Sequence, residues 1–210
     1  MTDGGRGLLL DYGGVLTTPV GASFRDWERA QGVEPGRILE LLVSAHHDAD
    51  GGIIGALERG ELTAEDFDAR VVRLLVDHGH DVPRGSILAG LFAGMQPAGD
   101  LWQVALEARS EGVSTGLLSN SWGTELYPWD RLHATFDTLV ISGEVGLRKP
   151  DPAIFRLAMD RLGLPAGQCA FVDDLEHNVR AAAELGMHAV HHTGDAEATR
   201  ARLSEFLQLG

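Results

Sequence analysis

A single cysteine, Cys169, stands in 210 residues, so no intrachain disulfide can brace the fold. It lies beside the apolar AFV and reads as a small core residue rather than a reactive thiol. Positive charge is scarce: 17 lysines and arginines face 31 aspartates and glutamates, a net charge of −14. A phosphate-backbone binder needs a basic surface to displace counterions, so no nucleic-acid partner is expected. A small anionic ligand is not opposed, because a pocket's local field can differ in sign from that of the whole surface. No apolar stretch reaches membrane-spanning length, and MTDGGRGLLL at the start carries only a short apolar run with no cleavage-like segment. The expectation is a cytoplasmic protein with no membrane partner; a homodimer is left open.

Against these absences, a hydrophobic share of 44% is enough for a sizeable core. Four short apolar runs have the continuous character of parallel strands buried on both faces: GLLL before Asp11, STGLLS ending at Ser119, TLVIS ending at Ser142 and CAFV before Asp173. HAVHH at 188–192 is a weaker fifth. Helical patterns alternate with them. PAGDLWQVALEARSEG places Leu101, Val104, Ala105 and Ala108 on one face and stops at Gly112. DPAIFRLAMDRLG opens on Asp151 as N-cap with Pro152 in the first turn, and stops at Gly163. LEHNVRAAAELG follows FVDD and stops at Gly186. The alternation predicts an α/β fold with a doubly wound, Rossmann-like parallel sheet.

Residues 20–95 break the rhythm with helix after helix. Ser23 is placed to cap FRDWERAQG, Pro35 to open GRILELLVSAHH, Thr63 with Asp66 to form a capping box, and Ser86 to cap ILAGLFAGM. The expected organisation is a Rossmann-like core of 1–19 and 96–210 with an inserted helical cap of 20–95. An insert directly after the first strand hangs over that strand's carboxyl end, where open α/β sheets bind ligands.

Polar groups gather at the predicted strand ends. Asp11 ends the first, Ser119 and Asn120 the second, and Lys149 follows the third in GEVGLRKPD. Asp173 and Asp174 end the fourth, with Asn178 one helical turn on. Parallel strands bring these ends to one edge. Carboxylates gathered there repel, and oxygen-only ligands select Mg²⁺. A lysine and a hydroxyl suit phosphate oxygens. A carboxylate aimed at phosphorus can attack it in line to give an aspartyl-phosphate.

LLLDYGGVLTT, GLLSNS, GLRKPDPAIF and FVDDLEHNVRAAAELGM, in this order, resemble the motifs of the haloacid dehalogenase-like (HAD) hydrolases over about 1–20 and 98–195. The likeness is to the branch with a DxGGV first motif, similar to phosphatases of small sugar phosphates and to the phosphatase domain of epoxide hydrolases. The resemblance implies Asp11 as nucleophile and metal ligand, with the Gly13 carbonyl and Asp174 as further Mg²⁺ ligands. It implies Ser119 and the Asn120 backbone as phosphate holders, and Lys149 as neutraliser of the nucleophile–phosphate pair. Asp173 and Asn178 would support the metal. The implied partner is a small phosphorylated metabolite. The sequence departs at Gly13, where most phosphatases of the superfamily carry an aspartate that protonates the leaving oxygen. That absence keeps two other readings open: a 2-haloacid dehalogenase, whose halide leaves without a proton, and a catalytically silent binding or regulatory protein. The paired Asp173–Asp174 favours the phosphatase.

Outside the motifs, His46 and His47 fall in the helical segment, where either could face a ligand or replace the missing acid. His191 and His192 read as partly exposed strand-end structure, and Arg148 as a solvated loop charge. The acidic positions around 58–68 read as a solvated cap face. Trp122 is placed to line the pocket and Trp102 to join the core. ELYPWDRL is expected to form a loop and short helix beside the site.

Overall fold

The structure, a computed structural model, describes residues 5–44, 52–80 and 87–208. Its sheet strands are β1 (Gly7–Leu10), β2 (Ser114–Ser119), β3 (Thr138–Ile141), β4 (Cys169–Asp173) and β5 (His188–His191), in the spatial order β3-β2-β1-β4-β5 and all parallel. The chain turns back between β1 and β4, the crevice where such sheets bind ligands. Leu10 pairs with Leu117 on one side and Val172 on the other, so Asp11 emerges level with the ends of both neighbours.

The apolar runs of β1, β2 and β4 are buried because both sheet faces are covered, while edge strand β3 is fully buried only at Val140 and Ile141. Side chains alternate along a strand. Leu8 and Leu10 therefore join one apolar cluster, with Leu101 and Val104 of α6 (Gly99–Ser110) and Leu203 of α11 (Ala196–Leu207). Leu9 joins the other, with Ile154 and Phe155 of α9 (Pro152–Leu162) and Ala182 of α10 (Glu176–Glu184). Two short helices, α7 (Trp129–Thr135) and α8 (Ser142–Val145), flank β3. Asp151 caps α9 by accepting from the Ala153 amide at 2.8 Å.

Between β1 and α6 lie α1 (Val20–Ala30), α2 (Arg37–Ser44), α3 (Gly52–Glu58), α4 (Ala64–Asp77) and α5 (Ile87–Gly94). They share a third apolar cluster that includes Phe24, Ile38, Phe67, Leu75 and Leu91. The two chain crossings into this layer run side by side: Thr18 donates its amide to Gln96 O at 2.8 Å, and Thr17 bridges Pro97 antiparallel.

Some local expectations change. Thr63 does cap α4, accepting from the Asp66 amide at 3.1 Å. Ser23 caps nothing: α1 already starts at Val20 behind Pro19, and Ser23 is buried against Gly94 with its hydroxyl unpartnered among the described residues. Small residues there let α1 and α5 approach closely; a Cβ on Gly90 would lie 2.3 Å from the Trp27 ring. Pro35 precedes α2 rather than opening it. Buried Glu28 of α1 caps α2 instead, accepting from the amides of Gly36 at 2.5 Å and Ile38 at 2.6 Å. Ser86, His46 and His47 lie outside the described residues.

The 58–68 acids are not one solvated face. Asp68 is buried and accepts from the Leu88 amide at 3.1 Å, capping α5. Burial pushes its carboxyl above the usual range, partly offset by hydrogen bonds from the Ile87 and Leu88 amides. Glu58 is buried as well. Cys169 is a buried free thiol, raised to about 11 by desolvation, and Trp102 is core, donating its indole N–H to Leu16 O at 2.8 Å.

Candidate active site

Asp11 leaves β1 with its amide still bonded to Val172 O at 3.0 Å, so the strand itself holds the residue rigid. The next turn brings Gly14 to φ 74, and a Cβ there would lie 2.2 Å from Asp174 Oδ2. Gly14 is thus the residue whose lack of a side chain the site requires, through both its left-handed backbone and the approach of the Asp174 carboxylate. Gly13 has no positive φ; a Cβ on it would meet the Val20 Cγ2 methyl at 2.8 Å.

Lys149 is the sole lysine of the chain. It is 1% exposed, and its ammonium donates to Asp11 Oδ1 at 2.7 Å, Asp173 Oδ2 at 2.6 Å and Leu118 O at 2.9 Å. An ammonium has three protons, and all three are engaged. Lys149 therefore acts as a fixed point charge between the carboxylates, a different arrangement from a free phosphate donor. Burial would strip its proton, but the attraction of Asp11 and Asp173 outweighs that and holds it above the ordinary lysine value. Asn120 seats it: the amide oxygen accepts from Lys149 N at 2.8 Å and the amide nitrogen donates to Lys149 O at 3.0 Å.

Asp173 is wholly committed inward. Oδ1 accepts from the Leu175 amide at 2.8 Å, Oδ2 from Lys149, and both oxygens from Asn178 Nδ2 at 3.1 Å. Asn178 Oδ1 is buried without a partner among the described residues. Asp174 is less buried and lines the cavity. Desolvation first, then the neighbouring Asp173, raises it to about 6 against the pull of Lys149. The same forces raise Asp11, where burial is the largest.

Asp11, Asp173 and Asp174 each bring a carboxylate oxygen within 4.8 Å of the others. Three carboxylates against one ammonium leave uncompensated negative charge in a poorly solvated place. Oxygen ligands, mutual repulsion and the orphaned Asn178 oxygen fit a hard divalent cation such as Mg²⁺.

Two contributors escaped sequence reasoning. Ser119, 1% exposed, shares a 2.7 Å hydrogen bond with the Tyr127 hydroxyl, and burial drives that phenol's pKa upward. Tyr127 belongs to ELYPWDRL, so its neighbourhood was legible but its partner was not. Glu58 closes α3 over the site. It accepts from Arg148 Nε at 2.6 Å, Trp122 Nε1 at 3.1 Å and Asn120 Nδ2 at 3.5 Å, and its carbonyl takes the Ser142 hydroxyl. Arg148 is accordingly ion-paired rather than freely solvated. Glu58 shares its sequence character with the solvated acids around it, and only the fold brings it to Arg148 and Asn120. Trp122 lines the cavity and also packs its ring edge-on to Phe24, 5.2 Å away, in the helical layer.

A model of the haloacid dehalogenase-like hydrolases matches residues 6–186. The chain belongs to that family. The resulting HAD core has relatives of several kinds. Acyl-CoA dehydrogenase family member 10 of Mus musculus is 31% identical over 192 residues, 88% of this chain and 18% of that protein. Glyceraldehyde 3-phosphate phosphatase of Methanopyrus kandleri is 32% identical over 105 residues, 47% of this chain and 44% of that protein. The chain thus spans less than half the length of either relative. Among solved structures, a HAD family enzyme from Bacteroides thetaiotaomicron superposes with a TM-score of 0.68 at 24% identity, covering 93% of this chain and 98% of that one. An L-2-haloacid dehalogenase shares the fold at a TM-score of 0.64 and 16% identity, covering 96% and 100%.

Proposed function

We propose that this HAD hydrolase is a Mg²⁺-dependent phosphatase of small phosphomonoesters, with residues 20–95 serving as its cap. The observation that carries the reading is the buried Asp11–Lys149–Asp173 array at 2.7 and 2.6 Å, with Asp174 beside it. Asp11 Oδ would attack phosphorus in line, forming an aspartyl-phosphate as the bond to the leaving oxygen breaks. Water would then attack the same phosphorus and return Asp11 as a carboxylate. Asp11, the Gly13 carbonyl and Asp174 would hold the cation, which supplies positive charge to the phosphoryl oxygens when bound. Lys149 and Asn178 position the acids around it. Ser119, steadied by Tyr127, and the Asn120 backbone would hold phosphate oxygens. The phosphatase relative supports this reading.

The dehalogenase reading has one specific support, the missing acid at Gly13. It demands a cation for the substrate carboxylate. Among the described residues lining the site cavity, Lys149 is the one cation, and its protons are taken.

Phosphate and halide release from 4-nitrophenyl phosphate and 2-chloropropionate, with Mg²⁺ and with EDTA, separates the two. The expected result is Mg²⁺-dependent phosphate release that falls by about a thousandfold or more in Asp11→Asn, whose amide is a far poorer nucleophile. Metal-independent halide release, or phosphate turnover retained in a folded Asp11→Asn protein, defeats the proposal.

A further inference from the structure

A second cavity, about 260 Å³, adjoins the one at Asp11, and Tyr12, Phe92, Met95 and Tyr127 line both. No step proposed at Asp11 uses the groups found only there. Its walls are largely apolar and aromatic, with Leu16, Trp102 and Leu126 beyond the shared side chains. Among the described residues lining it, Arg131 of α7 is the one charged group.

The chain has 31 acidic residues, yet the Arg131 guanidinium has no carboxylate or hydrogen-bond partner among the described residues. It sits instead over the Trp102 ring, 3.9 Å from the ring centre. Trp102 is itself fixed, 2% exposed and donating its indole N–H to Leu16 O at 2.8 Å. A guanidinium held over a ring is attracted through its charge, and its N–H donors stay available for another partner. Tyr12 supplies a second donor. Its hydroxyl makes no hydrogen bond among the described residues. Burial pushes the Tyr12 phenol up and the charge of Arg131 pulls it back, so the two groups act on the same space.

That combination selects a ligand by its chemistry. The planar fork of an arginine matches a carboxylate. One cation, in a chain of net charge −14, balances the single charge of a carboxylate better than the nearly double charge of a phosphomonoester. Apolar and aromatic walls suit a hydrocarbon body. Glu58, across the Asp11 cavity, is already compensated by Arg148 at 2.6 Å and does not oppose an anion next door. Arg131 does not line the Asp11 cavity, so a carboxylate on the reacting carbon of a 2-haloacid would not meet it.

We propose that the second cavity is a binding site for an organic carboxylate, with Arg131 as the anion-holding group, Tyr12 as a second donor and Trp102 as the platform under the guanidinium. The site does not depend on the phosphatase reading. The carboxylate belongs either to a separate molecule or to the far end of the molecule whose phosphoryl group reaches Asp11, and the recognising chemistry is the same.

The test is calorimetry on the full chain in EDTA with 3-phenylpropionate and its neutral amide. The acid should bind about ten- to a hundredfold tighter than the amide, the worth of hydrogen bonds to a charged group. Arg131→Met keeps the bulk over Trp102 and should bring that ratio close to one. The ratio is taken within each variant, so a general loosening of the fold does not mimic the loss. An acid that binds no better than its amide, a ratio unchanged in Arg131→Met, or no binding of either compound overturns the site. With Mg²⁺ present, ω-phosphonocarboxylates of increasing chain length are then compared with alkylphosphonates of the same length. If the carboxylate is the far end of the phosphoryl-bearing molecule, one chain length gains about tenfold or more over its alkyl match, and Arg131→Met removes the gain. If it is a separate molecule, no length gains, and 3-phenylpropionate binds alongside inorganic phosphate. Failure of every phosphonate to bind while 3-phenylpropionate still binds supports the site and sinks the phosphatase.

Discussion

Two adjacent aspartates at the end of β4 do different work. Asp173 is tied to Lys149, Leu175 and Asn178, while Asp174 faces the cavity across Gly14. Asp173→Ala breaks a buried ion pair and should cost about 3–5 kcal/mol of stability. Asp174→Ala should leave the fold nearly as stable and weaken Mg²⁺ binding more. Denaturant melts and metal titration by calorimetry on both variants check this, and the reverse order would exchange the two assignments. Gly13 has its own consequence. On the proposed phosphatase mechanism, an aspartate missing there leaves the departing oxygen's charge uncompensated, a loss worth on the order of a hundredfold to ten-thousandfold for poor leaving groups. Glu58, held as an acceptor by Arg148, Trp122 and Asn120, is badly placed to donate the proton. A plot of log(kcat/KM) against leaving-group pKa should be steep. A flat plot would reveal a substitute acid.

At the scale of elements, one end of α3 joins the helical layer to the HAD core. Glu58 reaches Arg148 and Asn120, its carbonyl meets Ser142, and Gly60 packs so closely on Gly143 that a Cβ there would lie 2.4 Å from Gly143 O. Asn120 in turn seats Lys149, so the position of α3 is linked to Lys149 by two hydrogen-bonded steps. Arg148→Met keeps the bulk and removes the charge. Leaving Glu58 buried against neutral donors should cost about 1–3 kcal/mol, discounted because Arg148 is 27% exposed. It should also raise KM more than it lowers kcat. Urea melts and steady-state kinetics read the two effects, and unchanged stability with unchanged KM would show that the pair fastens nothing.

Across the whole molecule, stability also depends on a buried histidine next to β4, whose amide donates to Asp173 O at 2.9 Å. His192 follows β5, is 6% exposed, and meets Thr199 Oγ1 through Nδ1 at 2.8 Å. That hydroxyl already donates to Asp195 O at 2.9 Å, so it accepts from the ring, and Nδ1 carries the proton of the neutral imidazole. Charging the ring is disfavoured by burial, and the pKa lies below 6.5 despite Asp195. The unfolded chain therefore binds the proton more readily than the folded one. Stability from this group is full above pH 6.5 and is lost as pH falls through the lower folded value. His192→Asn keeps a donor for Thr199 and cannot be charged. Its melting temperature relative to wild type should rise as pH drops from 7 to 5; a difference independent of pH would remove His192 from the acid sensitivity.

The three inner strands of the sheet were readable because a strand buried on both faces must be continuously apolar, and GLLL, STGLLS and CAFV have few other uses. The strand-end polar groups were readable for a related reason: a charge closing a buried run needs a place to go, and parallel strands send every such charge to one edge. The helical layer was readable as helices, but not in its contacts. Glu58 and Asp68 look like their solvated neighbours in sequence, and only packing against Arg148 and α5 turned them inward. The same holds for Glu28, whose acceptors lie on another helix, and for Ser119, whose partner Tyr127 returns through a loop. Lys149 could be placed at the site from its motif, yet that all three of its protons are spent depends on where β1, β2 and β4 end in space. Periodicity and motif are local and survive in one dimension; which polar group meets which is a matter of long-range distance, and that exists only in the folded chain.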